Sequence, residues 1–160
     1  MSDTGKLKVA AQSEREIVMT RRFNAPRRML FDAWTKTELL KRWLGVFGGN
    51  TLEVCEIDLR VGGKYRFVWR LADGSEMGMG GTYLEIVPRE RMVWTEMFDV
   101  PWYPGESLIT VTLTEQDGRT TATTTVLYVS QQARDGVLRT NMERGVGLSY
   151  DKLAEILETT

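Results

Sequence analysis

The chain from Ile109 to Val126 divides into two faces about Asp117-Gly118, and this division constrains the fold most. Asp-Gly is a preferred centre for a two-residue hairpin turn, which needs positive φ at both central positions. A hairpin centred there pairs Leu113 with Ala122, Val111 with Thr124 and Ile109 with Val126. The other face then pairs Thr114, Thr112 and Thr110 with Thr121, Thr123 and Thr125. One face is apolar and the other carries threonines. Such a sheet is antiparallel and needs a cover on its apolar side only.

The preceding strands follow the same logic. A hairpin centred on Asp73-Gly74 predicts Trp69 opposite Gly78, Phe67 opposite Gly80 and Tyr65 opposite Thr82. Val87-Pro88-Arg89-Glu90 bends the next pair, and Leu84 is set opposite Trp94. That register turns Leu84, Ile86, Met92, Trp94, Glu96 and Phe98 inward. The turn Arg60-Val61-Gly62-Gly63 leaves two alignments open, with either Cys55, Ile57 and Leu59 or Val54, Glu56 and Asp58 facing in. Before these, Glu14 to Phe23 reads as the first strand, and residues 1–13 as a poorly ordered lead-in. Pro26 suits the first position of a helix. Thr35 and Glu38 have capping-box spacing for a second short helix to about Trp43. Gly45, Gly48 and Gly49 close it in a loop carrying Val46 and Phe47.

One element is long enough to cover the sheet. Ser130 to Leu157 contains no proline, and Leu138, Met142, Val146, Ser149, Leu153 and Ile156 recur at helical spacing. Ser130 suits the cap. Gly145 and Gly147 interrupt this helix, each at a cost of about 1 kcal/mol relative to Ala, and Ser149 is small and polar on the apolar stripe. The helix is therefore thin in its middle. The expected fold is α+β: a curved antiparallel sheet of six to seven strands gripping one long C-terminal helix. Two short helices follow the first strand, and residues 14–160 form a single domain.

Composition excludes several chemistries. The chain has no histidine, so a Ser-His-Asp triad, a Cys-His dyad and an imidazole metal site are impossible. No metal or other cofactor is expected, and any catalysis would fall to carboxylates, Lys, Tyr or water. A net charge of −1 gives no ground for a nucleic-acid partner. No apolar run has the length of a membrane span, and Met1 to Gln12 lacks the apolar core of a signal peptide. A single cysteine, Cys55, forms no internal disulfide, and the cytoplasm is the expected location. Gly78-Met79-Gly80-Gly81 lacks the strand-then-helix context and the lysine of a phosphate loop.

Several segments together resemble a known family. They are Phe31-Asp32-Ala33-Trp34, Arg42-Trp43-Leu44-Gly45, Asp58-Leu59-Arg60-Val61-Gly62-Gly63-Lys64-Tyr65, Gly81-Thr82-Tyr83-Leu84-Glu85-Ile86-Val87-Pro88 and Val93-Trp94-Thr95-Glu96. In order and spacing they resemble the activator of heat-shock-chaperone ATPase homologue family. That family belongs to the START-like superfamily, also called SRPBCC or polyketide cyclase/dehydrase-like. The resemblance spans roughly Glu14 to Leu157. It implies a helix-grip fold with a cavity between sheet and long helix, and it leaves the chemistry open. Many members resemble Gly-Trp-x-x-x-Leu late in the chain. Here the match is Gly145-Val146-Gly147-Leu148-Ser149-Tyr150, without the tryptophan.

The candidate ligand-binding residues are Trp43, Phe47, Tyr65, Phe67, Trp69, Trp94, Glu96, Phe98, Val111, Met142, Val146 and Ser149. The aromatics either line a pocket or fill the core. Glu96 stands out as a carboxylate on an apolar face, where burial would raise its pKa. The competing readings give it Arg66 or Arg70 as a partner in a slipped register, or exposure at the sheet rim. Pro101-Trp102-Tyr103-Pro104-Gly105 is a lid, a partner patch or packing at the sheet end. Three function classes follow. The first is a binder of an apolar small molecule, lipid, polyketide or aromatic, and it is preferred. The second is a chaperone-interacting domain, implied by the resemblance. The third is a carboxylate-dependent cyclase or hydratase, which the absence of histidine disfavours. A monomer or weak homodimer is expected, without nucleic-acid or membrane partners.

Overall fold

The Asp117-Gly118 hairpin forms in the expected register. In the computed structural model, which describes residues 6–101 and 103–158, β7 (Ser107–Gln116) pairs with β8 (Arg119–Leu127). Val111 lies opposite Thr124, and Asp117 and Gly118 both take positive φ, 55° and 75°. The earlier strands are β1 (Lys8–Gln12), β2 (Glu16–Phe23), β3 (Thr51–Ile57), β4 (Lys64–Arg70), β5 (Glu76–Val87) and β6 (Arg91–Phe98). All eight form one antiparallel sheet in the order β1-β2-β8-β7-β6-β5-β4-β3. Helices α1 (Arg27–Thr35) and α2 (Thr37–Trp43) separate β2 from β3. Helices α3 (Gln131–Leu138) and α4 (Met142–Glu158) follow β8.

The extra strand is β1. Lys8 to Gln12 pairs with Thr20 to Glu16 on β2, where an unstructured lead-in was expected. The lead-in expectation for residues 1–5 lies outside the described residues.

The Asp73-Gly74 hairpin is one residue out of the expected register. Leu71 and Ser75 bracket a three-residue loop, and only Gly74 is left-handed there, with φ 88°. Asp73 does not adopt positive φ. Its carboxylate accepts from both the backbone N–H and the hydroxyl of Ser75, an Asx-type turn. The slip sets Trp69 opposite Met77, Phe67 opposite Met79 and Tyr65 opposite Gly81. Gly78 and Gly80 therefore pair with Val68 and Arg66, off the inner face. A glycine does face one inner aromatic, but it is Gly81. Tyr65 reaches past β5 and donates from its hydroxyl to Thr95 O on β6 at 2.6 Å.

A bulge between Tyr83 and Glu85 corrects the next pair. Tyr83, not Leu84, opposes Trp94, and Leu84 is expelled to solvent. Beyond the bulge Ile86 still opposes Met92, as alternation predicts. A second bulge, in β3, leaves Cys55 and Ile57 opposite Phe67 and Tyr65, which settles the open alignment of that strand. Leu59, beyond the strand, is exposed.

The long helix is two helices. Ser130 caps α3, its hydroxyl accepting from Ala133 N at 3.0 Å. The break comes at Thr140, whose hydroxyl donates to Val137 O at 2.6 Å and accepts from Met142 N at 3.3 Å. A side chain that satisfies backbone groups on both sides ends one helix and starts the next. Leu138 consequently leaves the predicted stripe and is exposed. On α4 the stripe holds: Ser149, Tyr150, Leu153, Ile156 and Leu157 are buried. The expected cap of α2 is also revised. Thr35 Oγ1 donates back to Phe31 O at 2.8 Å, and Lys36 precedes α2 without a side-chain cap.

Candidate functional site

The site begins where α2 ends. Trp43 is fully buried and donates from Nε1 to Ala33 O at 3.0 Å. Leu44 O accepts from Trp69 Nε1 at 2.8 Å. Gly45 adopts φ +69°, and a Cβ there would stand 2.5 Å from Trp69 Nε1. Only glycine combines that backbone with that approach. The Gly45 N–H donates in turn to Ser149 Oγ at 3.0 Å. Three elements, α2, β4 and α4, are thus held together by neutral hydrogen bonds around two indoles.

Beside this junction is a cavity of about 520 Å³ between α4 and the concave sheet. Of the sequence candidates, Trp43, Phe47, Trp69, Trp94, Glu96, Phe98, Met142, Val146 and Ser149 line it. Tyr65, Phe67 and Val111 do not. Tyr65 and Phe67 are buried in an aromatic stack with Tyr83, with Tyr65 centroids 5.0 Å from Phe67 and 5.7 Å from Tyr83. Val111 is fully buried between Met92 and Thr124 of the neighbouring strands. Gly145 lines the cavity, where a Cβ would stand 3.6 Å from Phe47, and a Cβ on Gly147 would meet only open space. The exposed members of the lining, Thr140 and Asn141, place the rim at the break between α3 and α4.

Sequence reasoning missed Trp34, Tyr128 and Tyr150. Trp34 and Tyr150 form a cluster with Trp43, with centroids 5.1–6.0 Å apart. Tyr128 continues the inward alternation of Ala122, Thr124 and Val126, a signal present in the sequence. Tyr103 packs edge-on against Tyr128 at 5.4 Å, shares a hydrogen bond with Ser107 and lines the cavity. The expectation for Trp102 lies outside the described residues.

Glu96 is the one charged residue among the described residues of this wall. It is half-buried, and burial pushes its carboxyl up to about 7. Arg66 and Arg70, its candidate partners in a slipped register, are engaged elsewhere. Arg66 grips Asp99 through two bonds of 2.6 and 2.5 Å, and Arg70 pairs with Glu53 and Glu76. Gly78 makes room for the first pair, since a Cβ there would lie 2.3 Å from Asp99 Oδ2. Among the described residues no hydrogen bond or ion pair reaches the Glu96 carboxylate. Tyr65, Tyr103 and Tyr128 lie close enough for its charge to raise their pKa values further, after burial.

Cys55 is a quiet thiol, pushed up to about 11 by burial. Among the described residues no group of side chains is arranged to hold a metal ion. No described helix is long and apolar enough to cross a membrane.

A curved antiparallel sheet, a covering helix and a cavity between them define a START-like helix-grip domain. Residues 24–158 match the Activator of Hsp90 ATPase homolog 1-like protein family, and the chain belongs to it. No curated protein matches. Among solved structures, a Rhodobacter sphaeroides protein is 27% identical over 97% of this chain and 99% of its own, with a TM-score of 0.90. A Chromobacterium violaceum protein is 28% identical over 90% and 97%, with a TM-score of 0.77. A Mycobacterium smegmatis protein, 21% identical over 97% and 99% with a TM-score of 0.84, shares the fold.

Proposed function

We propose that this protein binds a mainly apolar small molecule in the cavity under α4, with Glu96 as its charged anchor. Family membership supports a ligand-binding domain of START-like type in general. The volume lies within the range of about 300–1,000 Å³ usual for small-molecule sites. The observation that carries the reading is Glu96: a carboxyl without a partner on a wall that is mainly apolar and aromatic, with Asn50, Thr124, Thr140, Asn141 and Ser149 as its neutral polar members. A bound ligand would give that carboxyl the partner it lacks.

Native mass spectrometry of freshly purified protein tests this directly, through a co-purifying mass. Tryptophan fluorescence tests it a second way, because Trp43, Trp69 and Trp94 all line the cavity. An apolar probe should change the emission and raise the melting temperature. If apolar probes leave both unchanged, the cavity reading fails.

A further inference from the structure

Resting on that cavity reading, we propose that the ligand is an apolar organic cation, a protonated amine whose N–H groups donate to Glu96. Among the described residues no side chain donates to Glu96. Arg66 and Arg70 are committed to other carboxylates. The Tyr65 hydroxyl donates to Thr95 O, and the Tyr103 hydroxyl shares its bond with Ser107. Tyr128 feels the charge of Glu96 but forms no hydrogen bond with it. No lysine or arginine stands among the described lining residues. The cavity therefore presents one negative group with no positive counterpart.

The rest of the wall favours the same ligand. Trp69, Trp94, Phe98, Tyr103 and Tyr128 line the cavity with Glu96. Aromatic rings attract organic cations, most strongly where water is excluded. A carboxylate ligand would meet repulsion from Glu96. A neutral alcohol would supply one donor and no charge.

Three probes of one chain length separate the possibilities: decylamine, decanol and decanoate. Each is titrated against wild type and Glu96→Gln at about pH 8, where both the amine and Glu96 carry charge. Decylamine should bind wild type about 10- to 100-fold more tightly than decanol, the worth of a hydrogen bond to a charged group. In Glu96→Gln that preference should vanish while decanol still binds. On wild type the preference should also vanish at about pH 5, below the Glu96 value of about 7. Tyr65, Tyr103 and Tyr128, the titratable groups around Glu96, are all shifted upward and do not titrate in that window. This second arm does not depend on the variant folding. A decylamine preference that is absent, or that survives both the substitution and the acid, overturns the cation proposal and leaves the cavity reading standing. Failure of all three probes on wild type overturns both.

Discussion

The Gly45 backbone N–H donates to the Ser149 hydroxyl at 3.0 Å, and this bond fixes α4 against the end of α2. It explains a small polar residue on an otherwise apolar stripe. Ser149 is a structural acceptor at the edge of the cavity. Ser149→Ala should lower stability by about 1 kcal/mol, the net worth of a neutral hydrogen bond. Gly45→Ala should cost more, about 2 kcal/mol or above, because left-handed backbone and contact with Trp69 both penalise a Cβ. Urea denaturation of the two variants checks the order. Equal costs would show that the Gly45 backbone is free to relax.

Gly81 marks another close approach. A Cβ there would lie 1.9 Å from Thr95 O, a backbone atom that cannot swing away. Gly81→Ala is expected at or beyond the upper end of the overpacking range of about 1–3 kcal/mol. Tyr65→Phe removes only the bond to Thr95 O and should cost about 1 kcal/mol. A mild Gly81→Ala, measured by thermal unfolding, would contradict the close packing of β5 on β6.

Val146 lies on the cavity wall, beside Gly145, which also lines it. Val146→Trp should fill space rather than strain a packed core. The expected stability change stays within about 1–3 kcal/mol, the usual cost of overpacking, while probe binding is lost. A larger loss of stability would mean that the indole has no cavity to enter.

These residues also show which parts of the fold were legible. The register around Asp117-Gly118 was readable because the turn and the alternation on both strands agree. The same dipeptide at Asp73-Gly74 misled by one residue, because Asp73 captures Ser75 and enlarges the loop. A slip of one residue exchanges the faces, so Met77 and Met79 replace Gly78 and Gly80 inside. The bulge at Leu84 left no periodic trace, and Thr140 gave no warning that one hydroxyl would divide a helix. Glu96 lines the cavity all the same. Its inward orientation depends on alternation within β6 alone, with Met92, Trp94 and Phe98 on the same face.

Glu96 also makes stability depend on pH. Burial raises its carboxyl from about 4.5 to about 7 in the folded protein. Between these values the native state keeps a proton that the unfolded chain releases. Stability contributed by this group is therefore present below about pH 4.5, falls as the pH rises and levels off above about 7. Glu96→Gln carries no such dependence, since an amide does not titrate. The variant should gain on wild type across this window, by at most about 3 kcal/mol at alkaline pH. Other carboxylates titrate alike in both proteins and cancel in the comparison. Denaturant midpoints at several pH values measure the difference. A gap that stays constant with pH would show that the Glu96 carboxyl is solvated, and would remove the anchor from the proposed site.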